Sequence, residues 1–176
     1  MSGIAASHAS MTPIWRPTAR LLVVDPDERV LLLRAADDND ARKTYWFTPG
    51  GGVQRGETVR AAAVRELAEE TGFACTEAEL GPVVATSASH FTGYDGRLYL
   101  GAHTFFFLPV PKAAVDTAGQ EELERSMITG HRWWSVAELR AATEVTAPPA
   151  PALAGLMERL LGGDIPDRPV RLPRRH

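Results

Sequence analysis

The 176-residue sequence is poor in cysteine, in charge of one sign and in long hydrophobic runs. Cys75 is its single cysteine, which excludes an intramolecular disulfide and favours a reducing compartment, the cytoplasm. Its 19 Lys and Arg against 22 Asp and Glu give a formal charge of −3. That balance lacks the basic excess with which proteins bind extended nucleic acid or anionic membranes. The apolar runs Leu21 to Val24 and Val30 to Leu33 are far shorter than the roughly 20 residues of a membrane-spanning helix.

What the chain does contain is the composition of an ordinary folded protein. Hydrophobic residues make up 44% and charged residues 23% of the sequence. A chain of this length forms about one domain and buries enough surface to fold without a disulfide or a structural metal. We therefore predict one domain over residues 14–163, preceded by a flexible arm at 1–13 and followed by a tail at 164–176. We expect a monomer or a homodimer.

Turn residues divide the first third of the chain into short elements. Asp25-Pro26-Asp27-Glu28 separates two apolar strands and predicts a hairpin, because proline fixes φ and aspartate side chains bond to turn backbone. The predicted strands are Ala19 to Val24, Arg29 to Arg34 and Tyr45 to Thr48. The acidic stretch Ala36 to Asp40 lacks the glycine and closing glutamate of a calcium-binding loop, and we interpret it as a solvated loop.

The remaining elements alternate between strands and helices. Further strands are predicted at Pro82 to Ser87, Arg97 to His103, Thr104 to Pro109 and Arg132 to Ser135. Helices are predicted from Glu57 and Thr58 to Gly72, over Val136 to Thr143 with Ser135 as its cap, and over Ala152 to Leu161. This order predicts an α/β fold with a mixed β-sheet flanked by helices.

The helix that begins near Thr58 carries three acidic residues on one face. At 100° per residue, Glu66, Glu69 and Glu70 fall within an arc of about 100°. The opposite side of the helix is apolar and suited to pack on a sheet, through Ala61, Val64, Leu67 and Ala68. Like charges at this spacing repel each other unless something positive lies among them. Either bulk water with salt or a bound divalent cation satisfies that requirement.

The spacing of residues around this helix matches a known signature. Gly51 is followed by Glu57 and then by the run Arg65-Glu66-Leu67-Ala68-Glu69-Glu70-Thr71-Gly72-Phe73. The pattern resembles the Nudix box, G-x5-E-x7-R-E-U-x-E-E-x-G-U with U apolar, at every specified position. The resemblance implies the Nudix hydrolase family, with an α/β/α sandwich fold. It also implies cleavage of the diphosphate linkage in a nucleoside diphosphate derivative, with Mg²⁺ or alternatively Mn²⁺ as the cofactor.

The resemblance also implies roles for individual residues of the box. Glu66, Glu69 and Glu70 are the implied metal ligands, with the backbone carbonyl of Gly51 as a further ligand. Hard oxygen donors of this kind suit Mg²⁺. Arg65 is expected to orient the acidic cluster through a forked hydrogen-bonded pair, with Glu57 as its partner.

Two parts of the implied site lie outside the acidic helix. The general base is either Glu66 or a glutamate of a later loop, for which Glu122 is the candidate among Glu121, Glu122 and Glu124. The glycine turn, Gly50, Gly51 and Gly52, is expected to approach the phosphates of the substrate. Trp46 is a candidate for stacking on a base, although an aromatic residue in a strand is more often part of a core.

Three functions remain open at this point. The first is a diphosphohydrolase acting on a small-molecule nucleoside diphosphate derivative. The second is a nucleotide-sensing module of the same fold that does not hydrolyse its ligand, although none of the box carboxylates is missing. The third is an RNA 5′-end pyrophosphohydrolase, for which a basic groove beside the site would be expected. No proline occurs between Thr86 and Phe91, where the ADP-ribose branch of the family would have one.

Overall fold

A computed structural model describes residues 12–37, 40–92, 96–119 and 127–173 of the chain. Within these ranges the chain forms eight strands and three helices. The strands are β1 (Ile14–Val24), β2 (Val30–Asp37), β3 (Asp40–Phe47), β4 (Val83–Thr92), β5 (Leu98–Pro109), β6 (Ile128–Trp134), β7 (Thr146–Ala147) and β8 (Val170–Arg171). The helices are α1 (Val59–Thr71), α2 (Val136–Ala141) and α3 (Ala150–Leu161). None of the described helices is both long and apolar enough to cross a lipid bilayer.

The strands form one mixed sheet in the order β7-β3-β2-β1-β5-β4-β8, and β6 pairs with β2. Strand β1 runs parallel to β5 along its whole length but pairs with β2 only where Val24 faces Val30. Along the rest of β1, the backbone partner on that side is the segment that follows β3, residues 49–53. There Leu21 N–H donates to the carbonyl of Pro49 at 2.8 Å and Ala19 N–H donates to that of Gly51 at 3.0 Å. The glycine turn therefore lies alongside the central strand.

Side chains that alternate along β1 contribute to two cores on opposite faces of the sheet. Leu21 and Val23 pack toward α1, whereas Leu22 and Val24 pack toward α2 and α3. Helix α1 covers its face with small and apolar residues, among them Ala62, Ala63 and Leu67, all fully buried. Helices on both faces of a mixed sheet confirm the predicted α/β/α architecture.

Helix α1 begins and ends where the sequence predicts. Thr58 caps its first turn, because its side chain accepts a hydrogen bond from the N–H of Ala61 at 3.0 Å. Gly72 ends the helix with a φ of 70°, a left-handed conformation that glycine adopts without steric cost. The Ser135 cap of α2 is also confirmed, although that helix ends at Ala141 rather than at Thr143.

Several predicted boundaries differ from the structure. The segment Ala36 to Asp40 is not simply a loop, since β2 continues to Asp37 and β3 begins at Asp40. The two strands predicted over 97–109 are one strand, β5, because no turn residue separates His103 from Thr104. The region after α3 is not wholly irregular: β8 pairs with β4, and Leu172 is buried in the core against α3. Burial of this leucine explains why the tail is held on the sheet.

Candidate active site

The acidic face of α1 lies where the helix meets the glycine turn. Glu66 and Glu70 are nearly inaccessible, at 4% and 3% exposure, whereas 29% of the Glu69 side chain is exposed. Burial of a carboxylate is costly unless cations or hydrogen-bond donors compensate for its lost hydration. The surroundings of these two residues supply such groups.

Arg65 is one of these compensating groups, because it binds three carboxylates at once. Its Nε and Nη2 donate to the two oxygens of Glu57 at 2.9 and 3.1 Å, the forked geometry that the sequence predicts. Its Nη1 donates to Glu66 Oε1 at 2.8 Å and to Glu69 Oε2 at 3.0 Å. The hydrogen bond from Arg65 lowers the pKa of Glu57, and the one to Glu57 is the largest of the contributions that raise the pKa of Arg65. The ion pair between Arg65 and Glu57 therefore stabilises the charged form of both side chains.

The glycine turn lies between β1 and the acidic face of α1, so closely that a Cβ atom on Gly50 or Gly51 would clash with a neighbour. A Cβ atom on Gly50 would lie 2.2 Å from the carbonyl oxygen of Ala19, and φ at Gly50 is 124°. A Cβ atom on Gly51 would lie 2.3 Å from Glu66 Oε1. The N–H of Gly50 donates to Glu70 Oε2 at 2.6 Å. Backbone of the turn and carboxylates of the helix are thus in direct contact.

Arg20 is a further member of the site that the sequence analysis missed. From β1 its Nη1 donates to the carbonyl oxygens of Gly50 at 2.6 Å and Thr48 at 3.3 Å. Burial lowers the pKa of Arg20, while the negative charges of Glu70 and Glu66 raise it. A charged residue inside the apolar run that begins at Ala19 was the available signal.

A chain of polar side chains lies on the sheet close to Arg20. Thr18 Oγ1 is 2.6 Å from His103 Nδ1, and Ser89 Oγ is 2.8 Å from His103 Nε2. Burial lowers the pKa of His103 to about 4, and the positive charge of Arg20 contributes to that decrease. The imidazole is therefore neutral at physiological pH, with each ring nitrogen bonded to a hydroxyl.

Among the described residues, no group of three or more His, Cys, Asp or Glu side chains is arranged to hold a metal ion. The box glutamates are bound by protein groups: Arg65 binds Glu66 and Glu69, and the N–H of Gly50 binds Glu70.

The donor set nevertheless fits a divalent cation in chemistry and in charge. Its donors are carboxylate and carbonyl oxygens, which hard cations prefer. In formal charges, the four glutamates of the site, counting Glu57, exceed the two guanidinium groups of Arg20 and Arg65 by two. A divalent ion would balance that excess.

One of the predicted residues, Trp46, is not among the contacts described above. Trp46 packs edge-on against Trp134, with ring centroids 5.4 Å apart, and the guanidinium of Arg34 lies 5.9 Å from the Trp46 ring. Trp46 thus borders the core against α3. Glu122, with Glu121 and Glu124, lies outside the described residues.

Comparisons with known proteins identify the family to which the chain belongs. The model of the Nudix domain family matches residues 15–156. An RNA pyrophosphohydrolase of Novosphingobium aromaticivorans is 41% identical over 73 residues, 42% of this chain and 42% of that protein. An RNA pyrophosphohydrolase of Caulobacter vibrioides is 35% identical over 95 residues, 48% of this chain and 54% of that protein. The matched region thus spans about half or less of the length of these curated relatives.

The fold also has counterparts among solved structures. The crystal structure of a MutT protein from Methanosarcina mazei Go1 has a TM-score of 0.64 at 19% sequence identity, over 88% of this chain and 99% of that one. Similarity at that identity concerns the fold alone. The family model covers most of the chain, and every position of the box is present around the contacts described above. The chain therefore belongs to the Nudix domain family.

Proposed function

We propose that this protein is a metal-dependent hydrolase that cleaves the diphosphate linkage of a nucleoside diphosphate derivative. The observation that carries the proposal is the contact of the glycine turn with the acidic face of α1, where Gly50 N–H lies 2.6 Å from Glu70 Oε2. It brings backbone suited to a close approach of phosphate next to a cluster of carboxylates. Membership of the Nudix domain family supports the same reaction class.

Glu66, Glu69 and Glu70 would hold Mg²⁺, or alternatively Mn²⁺, with the carbonyl of Gly51 as a further ligand. That carbonyl already accepts a hydrogen bond from Ala19 N–H, and its second lone pair suits a cation. When bound, such an ion neutralises non-bridging phosphate oxygens and makes a water molecule more acidic.

The protein side chains then have distinct tasks. A water oxygen attacks phosphorus, the bridging P–O bond breaks, and a carboxylate accepts the proton of the water. Glu66 and Glu122 are the two candidates for that base. Arg65 holds Glu66 and Glu69 in place, and Glu57 in turn holds Arg65. Gly50, Gly51 and Gly52 would line the phosphates, while Trp46 is the candidate for contact with a base.

A substrate panel with Mg²⁺, with products identified by chromatography, tests the proposal. We expect two phosphorus-containing products from at least one nucleoside diphosphate derivative, and no products when a chelator removes the metal. An exposed glutamate on α3, Glu158, provides a control, because Glu158→Gln removes a charge far from α1. Tight nucleotide binding without any hydrolysis would contradict the proposal and favour a sensing module.

RNA 5′-end pyrophosphohydrolase activity is the second candidate. It is favoured by the two relatives bearing that name, at 41% and 35% identity. A short 5′-triphosphorylated RNA, compared with the nucleoside triphosphate of its first nucleotide, separates the two candidates. Preferential pyrophosphate release from the RNA would support this second activity. Domain bounds of 14–163, a cytoplasmic location and a monomeric or homodimeric state stay predictions.

A further inference from the structure

Arg20 has an unusual position for an arginine. It is half-buried in the central strand β1, between Ala19 and Leu21, both of which are fully buried. Transfer of a guanidinium group into such surroundings is costly unless its charge and donors are used. The structure accounts for the charge, since Glu70 and Glu66 lie close enough to raise the pKa of Arg20 against the effect of burial.

The hydrogen bonds of Arg20 account for only part of its donors. Both bonds that the side chain makes among the described residues come from Nη1, to the carbonyls of Gly50 and Thr48. A guanidinium group has five N–H donors in a planar fork. These two bonds fix the orientation of the plane beside the glycine turn and leave Nε and Nη2 with donor capacity.

The neighbouring polar side chains, Thr18, His103 and Ser89, do not add a second positive charge to that of Arg20. His103 is neutral at physiological pH, because burial and the positive charge of Arg20 together lower its pKa to about 4. Its two ring nitrogens bond to Thr18 and Ser89. Of these two neighbouring groups, Arg20 and His103, the positive charge therefore belongs to Arg20 and not to the histidine.

We propose that Arg20 is a substrate-binding residue whose guanidinium donates to a non-bridging oxygen of the diphosphate. The inference rests on the proposed function, because it assigns Arg20 to the same diphosphate that the glycine turn and the box carboxylates would bind. Arg65 is engaged by Glu57, Glu66 and Glu69, so its role is to position carboxylates. Arg20 makes its hydrogen bonds to neutral carbonyls, and Glu70 and Glu66 act on its charge only through space. A planar fork held by the backbone of the turn suits a diphosphate oxygen.

Binding of imidodiphosphate, whose P–N–P bridge resists hydrolysis, tests the assignment by calorimetry in the presence of Mg²⁺. We expect Arg20→Met to weaken binding about tenfold or more, the effect of losing a hydrogen bond between charged groups. Arg20→Lys keeps the charge without the fork and should bind with intermediate affinity. Arg140→Met is the matched control, because Arg140 is an exposed residue of α2 that pairs with Glu158. The Arg140→Met variant should bind imidodiphosphate as tightly as the unmodified protein.

A titration with Mn²⁺ alone separates substrate binding from support of the glycine turn. If Arg20 binds the diphosphate, Arg20→Met should bind Mn²⁺ as tightly as the unmodified protein or more tightly, since a cation has left the carboxylates. Equal loss of Mn²⁺ and imidodiphosphate affinity would overturn the assignment, as would unchanged imidodiphosphate affinity. If Arg20→Met does not fold, the imidodiphosphate affinity of Arg20→Lys tests the assignment instead. An affinity equal to that of the unmodified protein would overturn it.

The outcome for Arg20 is distinguishable from the outcome for the proposed function. If the unmodified protein hydrolyses nothing in the substrate panel but binds imidodiphosphate through Arg20, the hydrolase proposal fails and this assignment stands. If the protein hydrolyses a substrate while Arg20→Met binds imidodiphosphate normally, the assignment fails and the hydrolase proposal stands.

Discussion

Glu70 and Glu69 share one face of α1 but differ in how firmly they are held. Glu70 is buried and accepts a hydrogen bond from the backbone N–H of Gly50. Glu69 is partly exposed and bonds to the side chain of Arg65. A backbone donor has no side-chain freedom to lose, so the position of Glu70 is the better defined of the two.

Substitution of Glu70 separates its charge from its structural contact. In Glu70→Gln the amide oxygen still accepts the N–H of Gly50, so we expect the fold to be retained. Removal of the charge should lower turnover by at least about a hundredfold, as expected for a lost metal ligand or its support. The measurement is kcat at saturating Mg²⁺, with circular dichroism as the check on folding. Full activity in the variant would contradict the ligand assignment.

His103 should make the stability of the protein depend on pH. Its pKa is lowered from 6.5 to about 4 in the folded protein, so between these values the unfolded chain binds a proton that the folded protein does not. The stabilisation is complete above pH 6.5 and is lost as the pH falls toward 4, by roughly 3 kcal/mol at most. His103→Gln removes the titrating group, and its free energy of unfolding should fall less over this range.

Denaturant unfolding at a series of pH values from 7 to about 4 measures this effect. His131→Gln is the control, because His131 is exposed on β6. If His103→Gln and the unmodified protein lose stability in parallel, the burial of a neutral His103 is not the cause of the acid sensitivity.

At the scale of elements, α1 and the glycine turn form one unit. The helix is capped by Thr58, and its first residue, Val59, follows that cap at once. Arg65, in the next turns of the helix, reaches back to Gly52 O at 3.0 Å and to Glu57. Support for the start of the helix is therefore also support for the loop that precedes it.

Removal of the Thr58 cap should destabilise this unit. Thr58→Ala leaves the N–H of Ala61 without its side-chain partner and should lower the free energy of unfolding by about 1 kcal/mol. Thr58→Ser retains the hydroxyl and should stay within a few tenths of a kcal/mol of the original value. Chemical denaturation of the three proteins is the measurement. Equal stability of the alanine and serine variants would show that the cap contributes nothing measurable.

The same elements illustrate which features were predictable. Both ends of α1 have local signals, a capping threonine and a left-handed glycine, and both predictions were confirmed. The single strand β5 was predicted as two, because strand ends are decided by pairing with β1 and β4 rather than by local residue preference. Arg20 was missed for a similar reason. Its partners are carbonyls 28 and 30 residues away in the sequence, and carbonyls leave no side-chain pattern.

At the scale of the whole molecule, the end of the described chain returns to the sheet. Val170 pairs with Ala85 of β4, and the N–H of Leu172 donates to the carbonyl of Thr86 at 2.8 Å. Leu172, 4% exposed, completes the core between the sheet and α3. The segment after α3 thus contributes to the same core as the central strand.

Truncation of Leu172 tests that contribution. Leu172→Ala should lower the free energy of unfolding by about 2 to 4 kcal/mol, because a buried leucine loses its contacts and leaves a cavity. Arg171→Ala, at the exposed position next to Leu172, should change stability by less than about 0.5 kcal/mol. Thermal and denaturant unfolding provide the measurement, and similar values for both variants would show that the segment is not part of the core.

Gly50 carries hydrogen bonds in two directions. Its N–H faces Glu70 of the helix layer, and its carbonyl receives Arg20 of the sheet layer. Because Gly50 makes both bonds, a rotation of its backbone would displace the side chains of Arg20 and Glu70 together. The position of one side chain therefore depends on the position of the other. The changes in the free energy of unfolding caused by Arg20→Met and Glu70→Ala, measured by denaturant unfolding, should consequently not add in the double variant, even though these residues belong to different layers of the fold.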